Sequence, residues 1–485
     1  MKEVVLSLDV GTGSTKGVLY NRSWRELARA QSPAYQHISR RPGWVEQDPE
    51  EIWGAVCRVI LQLLETIGQP VQVLGAAISA QSGSLLPVDA AGEPVYPLIT
   101  WMDGRTQEII KRWKKAGRQE MVKRISGWSL YSGLPLPTIA WLRENDQETF
   151  QASARFCSLN DFLAQRLTGR WVSNPSNAGG MQLVDISTDT WSESLCELAG
   201  ISSRQLAEIL PSGAVVGPIR KELCKQLGLS EGALLVNGGH DQACTALGLG
   251  ITEPGKILLA CGTAWVISGA VREQELTQVP PTLDVNFHVS PQRWMVSQSL
   301  GGLGASLEWW LEQTRPGDRQ ARFSTLARSL NETSLQMELI FHPLSGGHGD
   351  PATTGRGEFS GLQLNHSWGD LSRAVMESAG FELNWAVQET GMEAEEFWMV
   401  GGAANSSHWP QILADITERP IVLPDYDMWP AFGAAVLTGY GLGWVKDLNT
   451  GERGGSQSSR LVNPGAEQRN LYREKYRRYQ GSFHL

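Results

Sequence analysis

One design occurs twice in this chain, and it constrains the fold more than any other feature. Val4–Tyr20 reads VVLSLDVGTGSTKGVLY: an apolar run, Asp9, a turn rich in glycine and hydroxyls, and a second apolar run. Alternating apolar residues on both sides of a glycine-rich turn predict a β-hairpin. Lys256–Gly269, KILLACGTAWVISG, repeats the pattern, with Gly262–Thr263 matching Gly11–Thr12 and Cys261 offering no carboxylate to match Asp9. Two such hairpins, one in each half, predict an internal duplication with equivalent turns.

The first turn carries chemistry that an anion could use. Gly11 and Gly13 permit close backbone approach, and backbone N–H groups with the hydroxyls of Thr12, Ser14 and Thr15 can face a phosphate. Lys16 adds a cation at the same end, and Asp9 could hold a hydrated divalent metal through water. The same residues also suit an ordinary tight hairpin, so both readings stand on local chemistry. A P-loop is excluded here because no G-x-x-x-x-G-K-[ST] run is present. The dinucleotide fingerprint fails as well, since Lys16 occupies its sixth position and a strand pattern follows.

A length of 485 residues exceeds one ordinary core and predicts two large domains. The balance of 42 basic against 51 acidic residues, a net charge of −9, argues against a non-specific nucleic-acid binder. Six cysteines without a C-x-x-C pair read as reduced, mostly buried thiols. The N-terminus lacks a basic region followed by a clean apolar stretch, and Ile257–Val271 is too short and too rich in Gly, Ser and Thr for a membrane span. A cytoplasmic protein is expected.

Further elements follow in order. Glu26–Gln36 reads as a strand. A helix follows Asp48, with Pro49 at its first position and Glu50 and Glu51 in its first turn. Val73–Gln81 reads as a buried strand that ends in small and polar residues. A basic helical stretch starts at Arg105, its charges read as a solvated face. Helices are expected at 138–145 and 158–167, and Asn174, Ser176 and Asn177 read either as polyol-pocket residues or as turn formers. Ala233–Gly250 reads as strand, Gly–Gly turn and helix, with Asp241 at the transition as a cleft-facing carboxylate or an N-cap. Ser299–Leu311 is a glycine-rich approach to a helix, Leu371–Thr390 a long helix, Phe397–Trp409 a strand opening into GGAAN and a helix, and Trp429–Gly443 a helix of small residues. A loop at 450–459 and a C-terminal helix complete the chain. His342, His348 and Asp350 lack a closing ligand and read as structural rather than metal-binding.

Together these segments resemble the FGGY family of carbohydrate kinases over nearly the whole chain. The most specific match is GEFSGL, seven residues, then DLSRAVME (Gly357–Glu377), beside SLDVGTGSTK, GWVEQDP, GGHDQ, CGT and GGAAN. The resemblance implies an α/β, duplicated actin-like (ribonuclease H-like) ATPase fold with two domains around a central cleft. The expected division is 1–236, 237–445 and a 446–485 tail. It also implies a kinase that uses ATP and Mg²⁺, and acts on a small sugar or polyol. On this resemblance Asp241 matches the catalytic base and Asp9 the residue that organises Mg²⁺ through water. Thr12, Gly13, Ser14, Lys16, Gly262 and Thr263 match phosphate positions, and Gly304, Gly402, Ala403 and Asn405 nucleotide positions. Gln81, Ser82, Trp101, Asp103 and Gln242 match sugar positions.

The chain departs from the family pattern in three places. Thr138 stands where the first signature carries Lys, and Gly347–His348 replaces the Glu–Arg often found after L-S-G. Ser82 and Gly83 follow Gln81, where xylulokinases usually carry Met–His and glycerol kinases Arg–Glu. The expected reaction is transfer of the γ-phosphate of ATP to a ketopentose such as xylulose. Gluconate, erythritol, glycerol or the autoinducer-2 signal are alternative substrates, and a non-catalytic sugar sensor is the alternative class. No nucleic-acid or membrane partner is expected, and a homodimer is the base expectation.

Overall fold

The structure is a computed structural model and describes residues 2–343, 357–449 and 458–482. His348, Asp350 and the Gly347–His348 departure lie outside the described residues. The chain forms two compact units, each assembled from segments distant in sequence. The first comprises 1–252, 284–295 and 428–456; the second comprises 253–283, 296–427 and 457–485.

The first unit is built on six strands: β1 (Lys2–Val10), β2 (Thr15–Asn21), β3 (Glu26–Gln31), β4 (Val71–Ala80), β5 (Val215–Pro218) and β6 (Leu234–His240). They lie in the order β5-β6-β4-β1-β2-β3. The pairs β6–β4 and β4–β1 are parallel, whereas β5–β6, β1–β2 and β2–β3 are antiparallel. In β1, Val4 to Val10 are buried throughout, as expected of a strand covered on both faces. One cover is the helix Pro49–Ile67, which buries Ile52, Val56, Val59, Ile60 and Leu63. The small-residue helix Trp429–Gly441 packs against β1, β4 and β6. Its glycines permit close approach: a Cβ on Gly433 would lie 1.9 Å from the Cys244 carbonyl oxygen.

The second unit repeats this plan. Five strands of a seven-stranded sheet, β7 (Gly255–Cys261), β8 (Trp265–Arg272), β9 (Ala394–Val400), β10 (Ile421–Pro424) and β11 (Ser459–Val462), run in the order β11-β10-β9-β7-β8, and Arg293–Gly301 and Asp284–Phe287 extend the sheet beyond β8. Among these five, too, the outer pairs are antiparallel and the two inner pairs parallel. Strand for strand, this is the order and direction of β5-β6-β4-β1-β2. The duplication read from two hairpins therefore extends to the sheets.

Several local expectations are refined. The strand at Glu26 stops at Gln31, where Ser32 and Pro33 follow and Pro33 has no N–H for a ladder. The helix expected at 138–145 starts earlier, at Pro135, which suits a first helical position. The helix Leu159–Thr168 is capped by Ser158, whose hydroxyl accepts from the Asp161 N–H. Arg105 is not on a solvated face. Its guanidinium is buried, ion-paired to Asp103 and Glu46 and stacked 3.9 Å from the Trp44 ring. The basic helices begin beyond it, at Gln107 and Arg118. All six cysteines are free, and five are buried. No helix among the described residues is long and apolar enough to cross a membrane.

Candidate active site

In the first unit, hairpin β1–β2 places Asp9 opposite Lys16 and closes through a hydrogen bond from the Gly11 N–H to the Ser14 carbonyl. Three side chains hold the turn from behind. Gln47 donates to the Thr12 carbonyl at 2.7 Å, Gln31 donates to the Ser14 hydroxyl at 3.2 Å, and Tyr35 bonds the Thr15 hydroxyl. A Cβ on Gly13 would meet nothing within 4 Å, and one on Gly11 would meet only the Ser14 carbonyl oxygen at 3.8 Å. Neither glycine is needed for packing, and both leave bare backbone at the turn.

Asp9 is buried, with the Ser79 hydroxyl 3.5 Å away. Burial, reinforced by the charge of Asp241, pushes its carboxyl up to about 7, against the smaller opposing pulls of Lys16 and Ser79. Asp241 opens the helix Asp241–Leu249. The N-cap is His240, so the N-cap alternative for Asp241 does not hold. The Asp241 side chain is 31 % exposed, and its Oδ1 lies 3.0 Å from His240 Nε2. Two carboxylates are thus coupled on one side of this unit, one buried and one reaching solvent. A hydrated divalent cation suits that pair: it would relieve their repulsion and permit Asp9 to ionise, without the closed protein cage that a dry site needs. No group of three or more His, Cys, Asp or Glu among the described residues offers such a cage.

The residues expected at the sugar and at the phosphate meet in one network. The Thr12 hydroxyl accepts from the Trp101 indole N–H at 3.0 Å and donates to Gln81 Oε1 at 3.3 Å. Gln81 also accepts from Ser84 and donates to Gln47, closing the circuit to the Thr12 carbonyl. Trp101 is 44 % exposed, whereas Gln81 is buried. Ser82 Oγ is buried among Gly180 and its neighbours with no hydrogen-bond partner. Gln242 follows Asp241 in the helix and is half-buried. Asp103 is engaged elsewhere: its carboxylate accepts from the Val45 N–H and from the Arg105 backbone and guanidinium. It anchors a loop beside the site, and every one of those partners lies within the fold.

Gln47, Tyr35 and Glu46 were not singled out from the sequence. Gln47 lies in GWVEQDP, whose resemblance to the family was its only signal. The role of Glu46 depends on an arginine 59 positions later.

In the second unit, hairpin β7–β8 presents Gly262 and Thr263 to a cavity of about 780 Å³. Gly304, Gly402, Ala403 and Asn405 line it as well, so all the expected nucleotide residues of this unit converge there. Gly304 is a packing requirement, because its Cβ would lie 2.1 Å from the Gly262 carbonyl oxygen. The neighbouring Ala305 N–H donates to the Thr263 carbonyl, which locks the helix Leu303–Thr314 onto the turn. By contrast, a Cβ would make only ordinary contact at Gly262, 3.6 Å from the Ala264 carbonyl oxygen, and at Gly402, 3.9 Å from the Arg319 guanidinium. Phe323, Leu326, Ala327 and Leu330 form an apolar wall suited to a planar base. Volume, bare backbone and apolar wall together fit a nucleotide.

A fold of two like-built units, one with paired carboxylates and the other with a nucleotide-sized cavity, defines a phosphotransferase of the actin-like class. The chain belongs to the FGGY family of carbohydrate kinases: its N-terminal domain model matches residues 4–248 and its C-terminal domain model residues 258–442. Among curated relatives, a xylulose kinase of Staphylococcus xylosus is 27% identical over 451 residues, covering 92% of each chain. An L-xylulose/3-keto-L-gulonate kinase of Escherichia coli is 28% identical, covering 99% of this chain and 96% of its own. Among solved structures, a xylulose kinase from Rhodospirillum rubrum superposes with a TM-score of 0.90 at 24% identity, covering 99% of this chain and all of its own. The protein is a carbohydrate kinase, an ATP-dependent sugar phosphotransferase.

Proposed function

We propose that this kinase phosphorylates a ketopentose of the xylulose type and that Asp241 is the general base. The observation that carries this reading is the pairing of a solvent-reaching Asp241 with a buried Asp9 in one unit. Asp241 accepts the proton of the sugar hydroxyl as its oxygen attacks the γ-phosphate. In a largely dissociative transfer, most of the acceleration comes from positioning and charge stabilisation, so one ordinary carboxylate suffices. Trp101 offers its exposed ring to the sugar's apolar face, while Gln81 and Thr12 hold the indole in place. Ser82 and Gln242 are the remaining sugar-side residues of this reading, and Gln242 lies beside the base.

Asp9 would hold Mg²⁺ through water, and Mg²⁺ when bound would screen the charge of the phosphates. In the first unit the turn Thr12–Lys16 offers N–H groups and hydroxyls suited to phosphate; in the second, the turn Gly262–Thr263 offers the same to a nucleotide in its own cavity. Gly304, Gly402, Ala403 and Asn405 hold the rest of the nucleotide. The ketopentose preference rests on the names of the relatives, several of which are xylulose kinases. We place the enzyme in the cytoplasm, as a homodimer without nucleic-acid or membrane partners.

The test is ADP release across a panel of ketoses, alditols, aldonates and 3-keto acids, with the product read by mass spectrometry. A phosphorylated ketopentose with the highest kcat/KM is expected, and binding without turnover would support a sensor instead. Asp241→Ala should lower kcat by about 10²–10⁴-fold. Unchanged turnover would remove Asp241 from the role of base.

A further inference from the structure

The segment Asn174–Asn177 offered two readings, polyol pocket or turn, and the structure ties it to Asp241 by a third route. The short helix Pro175–Gly179 is capped by Asn174, whose Oδ1 accepts from the Asn177 N–H at 2.9 Å. The same Oδ1 accepts from the Ser176 hydroxyl at 2.7 Å, which fixes the direction of that hydroxyl. With its proton committed to Asn174, Ser176 Oγ presents its lone pairs elsewhere and accepts from the His240 backbone N–H at 2.9 Å. His240 is the last residue of β6 and immediately precedes Asp241.

This corner of the strand needs such support. Between Val236 and Gly239 the register of β6 against β4 shifts, so the ladder is irregular just before the carboxylate. Gly238 there lies so close to β4 that a Cβ would be 1.8 Å from the Ile78 carbonyl oxygen. Side chains replace the missing regularity. Asn237 donates to the carbonyls of Ser173 and Leu210, and Ser176 takes the His240 N–H. The Ser176 carbonyl is itself held by Asn286 Nδ2 at 3.0 Å. Ser176, Asn174 and Asn177 are completely buried.

We infer that Ser176, oriented by Asn174, is a positioning residue that sets the place of the Asp241 carboxylate through the His240 peptide. This rests on the reading of Asp241 as the base. Its effect belongs to the chemical step, because the bracket touches the peptide before Asp241 and none of the nucleotide residues.

The test compares Ser176→Ala with Asp241→Ala, Ala178→Gly and the double variant Ser176→Ala/Asp241→Ala, each as the full chain. Loss of the acceptor should shift Asp241 by a fraction of an ångström and lower kcat by ~10-fold, given that misplacement by 1 Å can cost about 10²-fold. KM for ATP and for the sugar should stay within about twofold, as neither is bound through Ser176. Ala178→Gly loosens the same buried helix and should lower thermal stability while leaving kcat near wild type. The double variant should be no slower than Asp241→Ala, because the two residues act as one unit. Equal kcat losses in Ser176→Ala and Ala178→Gly, or a further loss in the double variant, would overturn the inference. Should Ser176→Ala fail to fold, Asn174→Ala, which removes the orienting acceptor together with the helix cap, should show the same kcat loss with smaller amplitude beside a stability loss like that of Ala178→Gly, and full kcat in it would likewise overturn the inference. If Asp241→Ala keeps its turnover, the reading of the base fails, whatever Ser176→Ala does.

Discussion

Replacing Asp9 with asparagine should stabilise the metal-free protein at alkaline pH while removing activity. Burial and the neighbouring Asp241 push the Asp9 carboxyl from 3.8 to about 7. The folded state therefore holds the Asp9 proton more tightly than the unfolded chain does. Below pH 4 both states are protonated and the site costs nothing. As pH rises from about 4 to about 7 the unfolded chain ionises first, and stability falls. Above pH 7 the full cost applies: a difference of about three units is worth at most about 4 kcal/mol, and about 2–4 kcal/mol is a reasonable expectation after relaxation. The asparagine side chain is nearly isosteric with aspartate and neutral at every pH. Thermal unfolding at pH 4, 6 and 8.5 in EDTA should show the variant gaining on wild type as pH rises. Added Mg²⁺ should raise the wild-type midpoint at pH 8.5 and leave that of Asp9→Asn unchanged, since a ligand stabilises only the state that binds it. A variant no more stable than wild type at pH 8.5, or a gap independent of pH, would refute the reasoning.

Three other perturbations probe different links. Arg105→Leu leaves the carboxylates of Asp103 and Glu46 buried without their cation, and should cost about 3–5 kcal/mol, read as a fall in midpoint by urea denaturation. Gly304→Ala drives a methyl against the Gly262 carbonyl and should raise KM for ATP by about 10-fold or more, with the sugar KM nearly unchanged. Gly13→Ala meets open space, so its melting temperature should match wild type, and any loss should appear only in the ATP kinetics.

Local chemistry is what made much of the site legible. Hairpin turns are written in short windows, and Val4–Tyr20 and Lys256–Gly269 fold as hairpins because alternation and turn residues lie together in sequence. The same holds for the start of the helix Pro49–Ile67, where Asp48 accepts from the Glu50 N–H as its position suggests. Likewise, Gly262, Thr263, Gly304, Gly402, Ala403 and Asn405 were marked by short glycine-rich motifs and converge on one cavity.

Side-chain roles set by distant partners were not legible in this way. Asp103, expected at the sugar, spends its carboxylate on Val45 and Arg105, and Arg105, expected in solvent, is buried between aromatic rings. Thr12 turns its hydroxyl to Gln81 and Trp101, residues 69 and 89 positions away. Ser176 reaches His240 across 64 positions.

The sequence by itself determined the two hairpins, the duplicated plan and the residue types available for phosphoryl transfer, because backbone preferences and turn chemistry act over a few neighbouring residues. The tertiary structure alone decided which carboxylate is buried with a raised pKa, which reaches solvent and which is consumed by an arginine. Desolvation and charge pairing depend on what surrounds a group in space, and the packing of β1, β4 and β6 brings together residues that the sequence keeps up to 232 positions apart, Asp9 and Asp241 among them.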